Sequence, residues 1–302
     1  MSRPAAIVPL LLLVLALGAY ARAQGPRREP PLNPIMGEFA GTFTPAGGQP
    51  VKAEAKVIAD QKHMYRVVIL YPAGDAKATR IELAGLGKND EVAIQGREWS
   101  GKITKEAVRI SSDKAGKAEM KRIERKSPTL CQKPPDGAVV LLPYEEGKPT
   151  NLSQWVANQW ICQPDGTVST VGADIATKKE FGSFKTHVEF CVPFMPAARG
   201  QERGNSGVFL HGRYEIQILD SFGLPVTAVD CAAIFGQRAP DADAALPPGQ
   251  WQTYDIDFRA PEFNAAGKQT KGALITVVWN GVKVLDAVET KKVCGGNWGP
   301  PG

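Results

Sequence analysis

Apolar and polar positions in this chain alternate in short runs with the two-residue period of half-buried strands, and turn residues cut the runs apart. From Ile35 to Lys126 the runs are GEFAGTF, VKAEAKVIA, HMYRVVILY, TRIELAGL, EVAIQG and KEAVRIS, separated by PAGG, PAGD, GKND and SDKAG. No convincing amphipathic helix interrupts them, so this region is predicted to be a small antiparallel β-meander or barrel over residues 35–126. A proline-rich stretch, SPTLCQKPPDG, breaks the pattern and marks a linker over 127–137. Beyond it the clearest strands are FKTHVEFCV, SGVFLHG, RYEIQIL, TYDIDFRA and ALITVVWNGVKVL. The last contains Asn280-Gly281 between two alternating halves, the strongest local hairpin signal, because both residues accept positive φ in a type I′ turn. The fold class is therefore all-β: a small antiparallel β domain followed by a two-sheet sandwich of jelly-roll type over 138–302.

The N-terminus reads differently. Arg3, an apolar run from Ile7 to Leu17, and Ala21-Arg22-Ala23 ahead of Gln24 have the layout of a secretory signal over residues 1–23. A proline-rich, charged leader over 24–34 follows it. The apolar run is about 11 residues, short of the roughly 20 that a spanning helix needs, so no membrane span is expected and the protein is predicted to be secreted or periplasmic. The net charge of +5 falls to about +3 once Arg3 and Arg22 leave with the signal. Only KRIERK (121–126) is densely basic, which argues against a nucleic-acid partner. Five cysteines, at 131, 162, 191, 231 and 294, in a chain bound for an oxidising compartment make one or two disulfides plausible without assigning them.

The segment RGNSGVFLHGRYEIQILDSFG (203–223) is richest in candidate chemistry. Alternation places Tyr214, Ile216 and Ile218 on a core face and Arg213, Glu215 and Gln217 on the opposite, groove-lining face. Continuing it would bury Asp220 and expose Leu219, so a one-residue bulge near Ile218-Leu219 is expected. Asn205, Ser206 and Gly207 read as a glycine-flanked turn that brings polar groups and bare backbone near a ligand. His187, Glu189 and Cys191 share another strand face. Residues two apart on a strand lie about 6.7 Å apart, wide for one ion, so Glu189 is expected in the same groove as Glu215. No cofactor is predicted, with a divalent metal left open. Trp251, Tyr254 and Trp279 suit either a core or a surface on which sugar rings stack.

These blocks, preceded by DIATKKEFGSFKTHVEF and followed by CAAIFG, PPGQWQTYDIDFRAP and TVVWNGV, resemble the 3-keto-disaccharide hydrolase family from about Gly137 to Val288. The resemblance implies a concanavalin-like jelly roll that cleaves glycosides already oxidised to a ketone at sugar C3, with carbohydrate as the partner. Family members usually continue past the position of Trp298 with a Gln-Asp-His run and a closing strand, whereas this sequence stops at Gly302, so either the gene product is short or the sequence is truncated.

Two mechanisms compete on the residues. Glu215-x-Gln217-x-x-Asp220 imitates the E-x-D-x-x-E layout of laminarinase-type retaining glucanases, which need two carboxyl groups about 5.5 Å apart. A 3-keto substrate demands less, because its carbonyl acidifies the C2 proton and one base with one oxyanion donor suffices. Under that reading Glu215 is the base and Arg213 or His211 stabilises the oxyanion. Gln217, Asn205, Ser206, Glu189 and Asp220 bind or orient the sugar. A non-catalytic lectin using the same groove is the alternative from another class.

Overall fold

The structure, a computed structural model, describes residues 33–290 and 293 apart from 75, 76, 97, 146, 157 and 158. The signal segment, most of the leader and Cys294 lie outside the described residues.

Eight antiparallel strands close into a barrel in sequence order: β1 (Gly37–Pro45), β2 (Val51–Ala59), β3 (Met64–Tyr71), β4 (Thr79–Lys88), β5 (Glu91–Gly96), β6 (Trp99–Ile103), β7 (Ala107–Ser112) and β8 (Gly116–Ile123). The pattern had yielded six of them. WSGKI and GKAEMKRI lack a run of large apolar residues, yet Trp99, Ile103, Ala118 and Met120 turn inward and complete the barrel. Phe39, Phe43, Val57, Val67 and Ile69 fill the interior and are almost wholly buried.

The basic run is structural. Arg122 donates to the carbonyls of Pro34 (2.8 Å), Ile35 (2.9 Å) and Met36 (3.1 Å), and Arg125 pairs with Glu38 at 2.8 Å while donating to the Ala244 and Ala245 carbonyls. Asn33 Oδ1 accepts from the Ile35 and Met36 amides, so the last leader positions are already anchored to the barrel.

After the barrel the chain forms four two-residue strands, β9 (Trp155–Val156), β10 (Ile161–Cys162), β11 (Val168–Ser169) and β12 (Ala176–Thr177), and then longer ones. These are β13 (Phe184–Cys191), β14 (Ser206–Leu210), β15 (Tyr214–Ile218), β16 (Trp251–Arg259), the short β17 (Glu262–Phe263) and β18 (Gln269–Lys271), β19 (Ala273–Trp279) and β20 (Val282–Thr290). One sheet has the order β13-β16-β19-β20, and β14 pairs with β15 in a hairpin. The hairpin's free edge is extended by Cys231–Phe235, since the Gln217 amide donates to Ala233 O and the Phe235 amide to Glu215 O, both at 3.0 Å. Phe190, Tyr254, Ile256 and Phe258 of the first layer meet Leu210, Tyr214 and Ile216 of the second, with Phe190 on Tyr254 at 4.7 Å and Tyr214 near Phe258 at 5.9 Å. The chain is thus all-β as expected, with a four-stranded layer facing a hairpin layer among the described residues.

Asn280 and Gly281 adopt φ of 49° and 81°, both positive as the type I′ signal required. Asn280 is also buried, donating to Ala244 O and Gln252 Oε1 at 2.9 Å each and accepting from the Thr253 amide.

The barrel and the sandwich share one hydrophobic core. Ile58 and Val68 point out of the barrel and are nevertheless 1% exposed. On that outer surface Lys56 pairs with Asp243 at 2.6 Å and lies over the Phe222 ring, and Arg80 donates to Gly223 O at 2.8 Å. Burial on both faces explains why VKAEAKVIA is apolar at consecutive positions near its end.

Candidate active site

The β14–β15 register pairs Ser206 with Ile218, Gly207 with Gln217, Val208 with Ile216, Phe209 with Glu215 and Leu210 with Tyr214. Cross-strand partners share a face, so Tyr214, Ile216 and Val208 point into the sandwich while Glu215, Gln217, Gly207 and Phe209 share the outer side. Gly207 is a necessity there. A Cβ on it would stand 2.3 Å from Glu215 Oε1 and 2.9 Å from Glu215 Cγ, so the glutamate lies across bare backbone. Phe209, half-buried, flanks the same carboxylate from the neighbouring strand.

Gln217 is 1% exposed, because the segment from Gly200 to Asn205 roofs its end of the face. Its carboxamide lies between two pairs of oxygens, Gln201 Oε1 (2.7 Å) and Asn205 Oδ1 (3.1 Å) on one side and Ser206 O (2.8 Å) and Glu215 Oε1 (3.2 Å) on the other, and its nitrogen donates to one pair or the other according to how the amide is turned. Gln217 therefore fills the space between the roof and Glu215 instead of lining an open groove. Asn205 belongs to the roof, and Ser206 is the first residue of β14 and contributes its carbonyl.

Glu215 is half-buried, and burial pushes its pKa above the usual glutamate value of 4.5, with the Asp174 carboxylate adding to the rise. No cation pairs with it among the described residues. A desolvated, uncompensated carboxylate beside an aromatic ring is what a general base requires.

The other candidates sit elsewhere. No bulge forms at Ile218-Leu219: β15 ends at Ile218, and Leu219 (2%) and Asp220 (1%) are both buried. Burying Asp220 is tolerable because Arg203, itself buried, holds it through Nε (3.2 Å) and a second, short Nη2 contact, and Asp220 Oδ1 accepts from the Phe222 amide. An enclosed, paired Asp220 has no access to a glycosidic bond, which removes the two-carboxylate glucanase arrangement. His211 occupies the hairpin turn at φ 54°, with Nε2 2.9 Å from Gly182 O and its ring 4.7 Å from Phe258. It packs at the sandwich's edge on the core side, away from Glu215. Arg213 is the last turn residue before β15, half-buried and two residues from Glu215.

Glu189 does not share the Glu215 side. It stands on the outer face of the four-stranded sheet, where it accepts from the Cys131 amide (2.5 Å) and contacts His187 Nε2 (3.2 Å), while His187 Nδ1 meets Asp255 Oδ1 at 2.7 Å. Asp255 also accepts from Thr129 Oγ1 at 2.8 Å, so this cluster fastens the segment after the barrel. Burial alone would lower the His187 pKa, but the hydrogen bonds and charges of Asp255 and Glu189 outweigh it and leave the pKa raised. No group of three potential metal ligands converges among the described residues. Cys131, Cys162 and Cys231 form no disulfide; Cys231 is fully buried, and burial pushes its thiol up to about 12 even though the hydrogen bond with the Tyr254 hydroxyl at 2.9 Å works to lower it. Tyr254 and Trp279 are core, and only Trp251 is exposed.

The reading from sequence missed Phe209, Asp174 and the roof residue Gln201. The hairpin register would have found Phe209, since a three-residue turn after Leu210 sets it opposite Glu215.

The 3-keto-alpha-glucoside-1,2-lyase-like domain matches residues 137–297, more than half of the chain. The chain belongs to this family. The family region thus covers every strand from β9 to β20 and leaves the barrel outside it. Among solved structures, the chain is similar to an inferred glycosyl hydrolase from Parabacteroides distasonis, at 32% identity over 55% of this chain and 71% of that one, with a TM-score of 0.48. No curated protein matches the chain. Family membership supports a glycoside-processing, hydrolase-like function.

Proposed function

We propose that the protein is an exported enzyme that cleaves 3-keto-glycosides by elimination across C1–C2 followed by hydration. The observation that carries this reading is Glu215: a half-buried carboxylate of raised pKa, lying over bare Gly207, flanked by Phe209 and 3.2 Å from the Gln217 carboxamide.

Glu215 takes the C2 proton, which the C3 ketone acidifies, and the electron pair moves into the C3 oxygen as an enolate. Arg213 is the donor assigned to that oxygen. Collapse of the enolate expels the C1 aglycone. Water then adds at C1 and passes one proton, through solvent, to the expelled aglycone oxygen, while the protonated Glu215 returns its proton to C2, so the net change is hydrolysis. Phe209 supplies an apolar face for the sugar ring. A single functional carboxylate suits this route, because the alternative of two cooperating carboxylates loses Asp220 to Arg203.

The test is release of a chromogenic aglycone from a 3-keto-glucoside by the full chain and by Glu215→Gln. We expect the variant to lose about 10²–10⁴-fold in turnover. Turnover equal to wild type would remove Glu215 from the mechanism, and tight binding of the keto-sugar without aglycone release by wild type would make the site lectin-like.

A further inference from the structure

The barrel is closed, but its wall is incomplete. Strand β4 begins at Thr79 and β5 runs on to Gly96, yet the two pair only where Leu86–Lys88 meet Glu91–Ala93. They come together at Gly85, where a Cβ would stand 2.4 Å from Val92 Cγ1 and 2.8 Å from Ile94 Cδ1. Toward the start of β4 the strands diverge into a slot.

Ile81 and Leu83 record the consequence. They pair across β3 with Ile69 and Val67, which are fully buried inside the barrel, so their side chains also face inward. Both remain only half-buried, and among the described residues no strand covers them on the β5 side. The resulting hollow is about 450 Å³ and is lined by Ile81, Leu83 and Trp99, with Arg80, Glu82, Glu98 and Lys114 around it. Sites for small ligands span about 300–1,000 Å³.

The lining selects the ligand. Two cations face two anions, so the hollow carries no net charge and has no preference for a free anion or cation. Arg80 is already engaged by Glu82 at 2.6 Å and by Gly223 O. What remains on offer is an apolar floor with an indole, and above it carboxylate acceptors, an ammonium donor and the edge of β4 before Leu86, which pairs with no strand on the β5 side among the described residues. A neutral molecule with one C–H face and many hydroxyls satisfies all of these at once.

We propose that this slot is a second carbohydrate site, taking an unoxidised disaccharide or the end of a neutral glycan. The proposal draws on the glycoside reading for the ligand class alone and requires nothing of Glu215.

The experiment titrates the full chain with cellobiose, maltose and trehalose by calorimetry, in wild type, in Leu83→Trp, which fills the slot, and in the exposed pair Glu98→Gln with Lys114→Gln. We expect at least one disaccharide to bind wild type, and each slot variant to weaken that binding tenfold or more with 3-keto-glucoside turnover unchanged. Binding that survives in both variants, or its absence for all three sugars in correctly folded wild type, overturns the proposal. Neither result touches the catalytic reading, whose failure would instead appear as full turnover in Glu215→Gln.

Discussion

The two outer faces of the sandwich both carry acidic residues, and they treat them in opposite ways. On the four-stranded sheet, Asp255 and Glu189 hold His187 between them and accept further hydrogen bonds from Thr129 and Cys131. On the hairpin, Glu215 is half-buried with a second carboxylate, Asp174, as its electrostatic neighbour. Charge that is answered fastens chain segments together. Charge left unanswered keeps a raised proton affinity available for chemistry.

The segments flanking the hairpin hold an answered charge of their own, Asp220 on Arg203, and breaking it should have the largest effect on stability. Asp220→Asn leaves Arg203 buried opposite a neutral group, and we expect a loss of about 3–5 kcal/mol in chemical denaturation. Gly207→Ala tests the unanswered case by geometry. Its Cβ must displace the end of the Glu215 side chain, and a shift of about 1 Å costs up to about 100-fold in turnover, with the midpoint of thermal unfolding little changed. A wild-type rate in this variant would mean that the position of Glu215 is immaterial.

The opposite face should respond in stability alone. Asp255→Ala removes the acceptors for His187 and Thr129 and should cost about 1–2 kcal/mol, at about 1 kcal/mol for each hydrogen bond, without altering turnover. The sign of the pH effect follows from the raised His187 pKa. Its folded form binds the proton more tightly than the unfolded chain, so the stabilisation is complete below about pH 6.5 and fades as pH rises through the folded value. Thermal unfolding followed across that window should show the fade in wild type and a flatter profile in Asp255→Ala. The smallest effect is electrostatic: Asp174→Asn withdraws a repelling charge, and the acid limb of kcat/KM should move toward the ordinary glutamate range. An unmoved limb would show that Glu215 does not set it.

Much of the fold could be read from the chain, because strand alternation and turn residues are local properties. GEFAGTF, VKAEAKVIA and the Asn280-Gly281 hairpin each announced themselves. Strands β6 and β8 did not, since Ala118 and Met120 become core only once neighbours on both sides cover them. At the site, alternation separated Glu215 from Tyr214 and Ile216 correctly, but it could not tell a groove from a roof. Gln217 is sealed by residues from Gly200 to Asn205, and Asp220 is neutralised by an arginine 17 positions away; neither relation leaves a periodic trace. Glu189 was misplaced for a related reason, as one strand's alternation does not say which layer of the sandwich it joins.

The contact between the barrel's outer wall and the sandwich has a practical corollary for anyone dissecting the gene. A fragment beginning at the proline-rich stretch would strip Ile58, Val68 and Lys56 from Phe222 and Asp243, turning a hidden seam into a sticky, half-charged patch. Such a piece should go into inclusion bodies when expressed alone, and co-expression with the severed barrel should return it to solution.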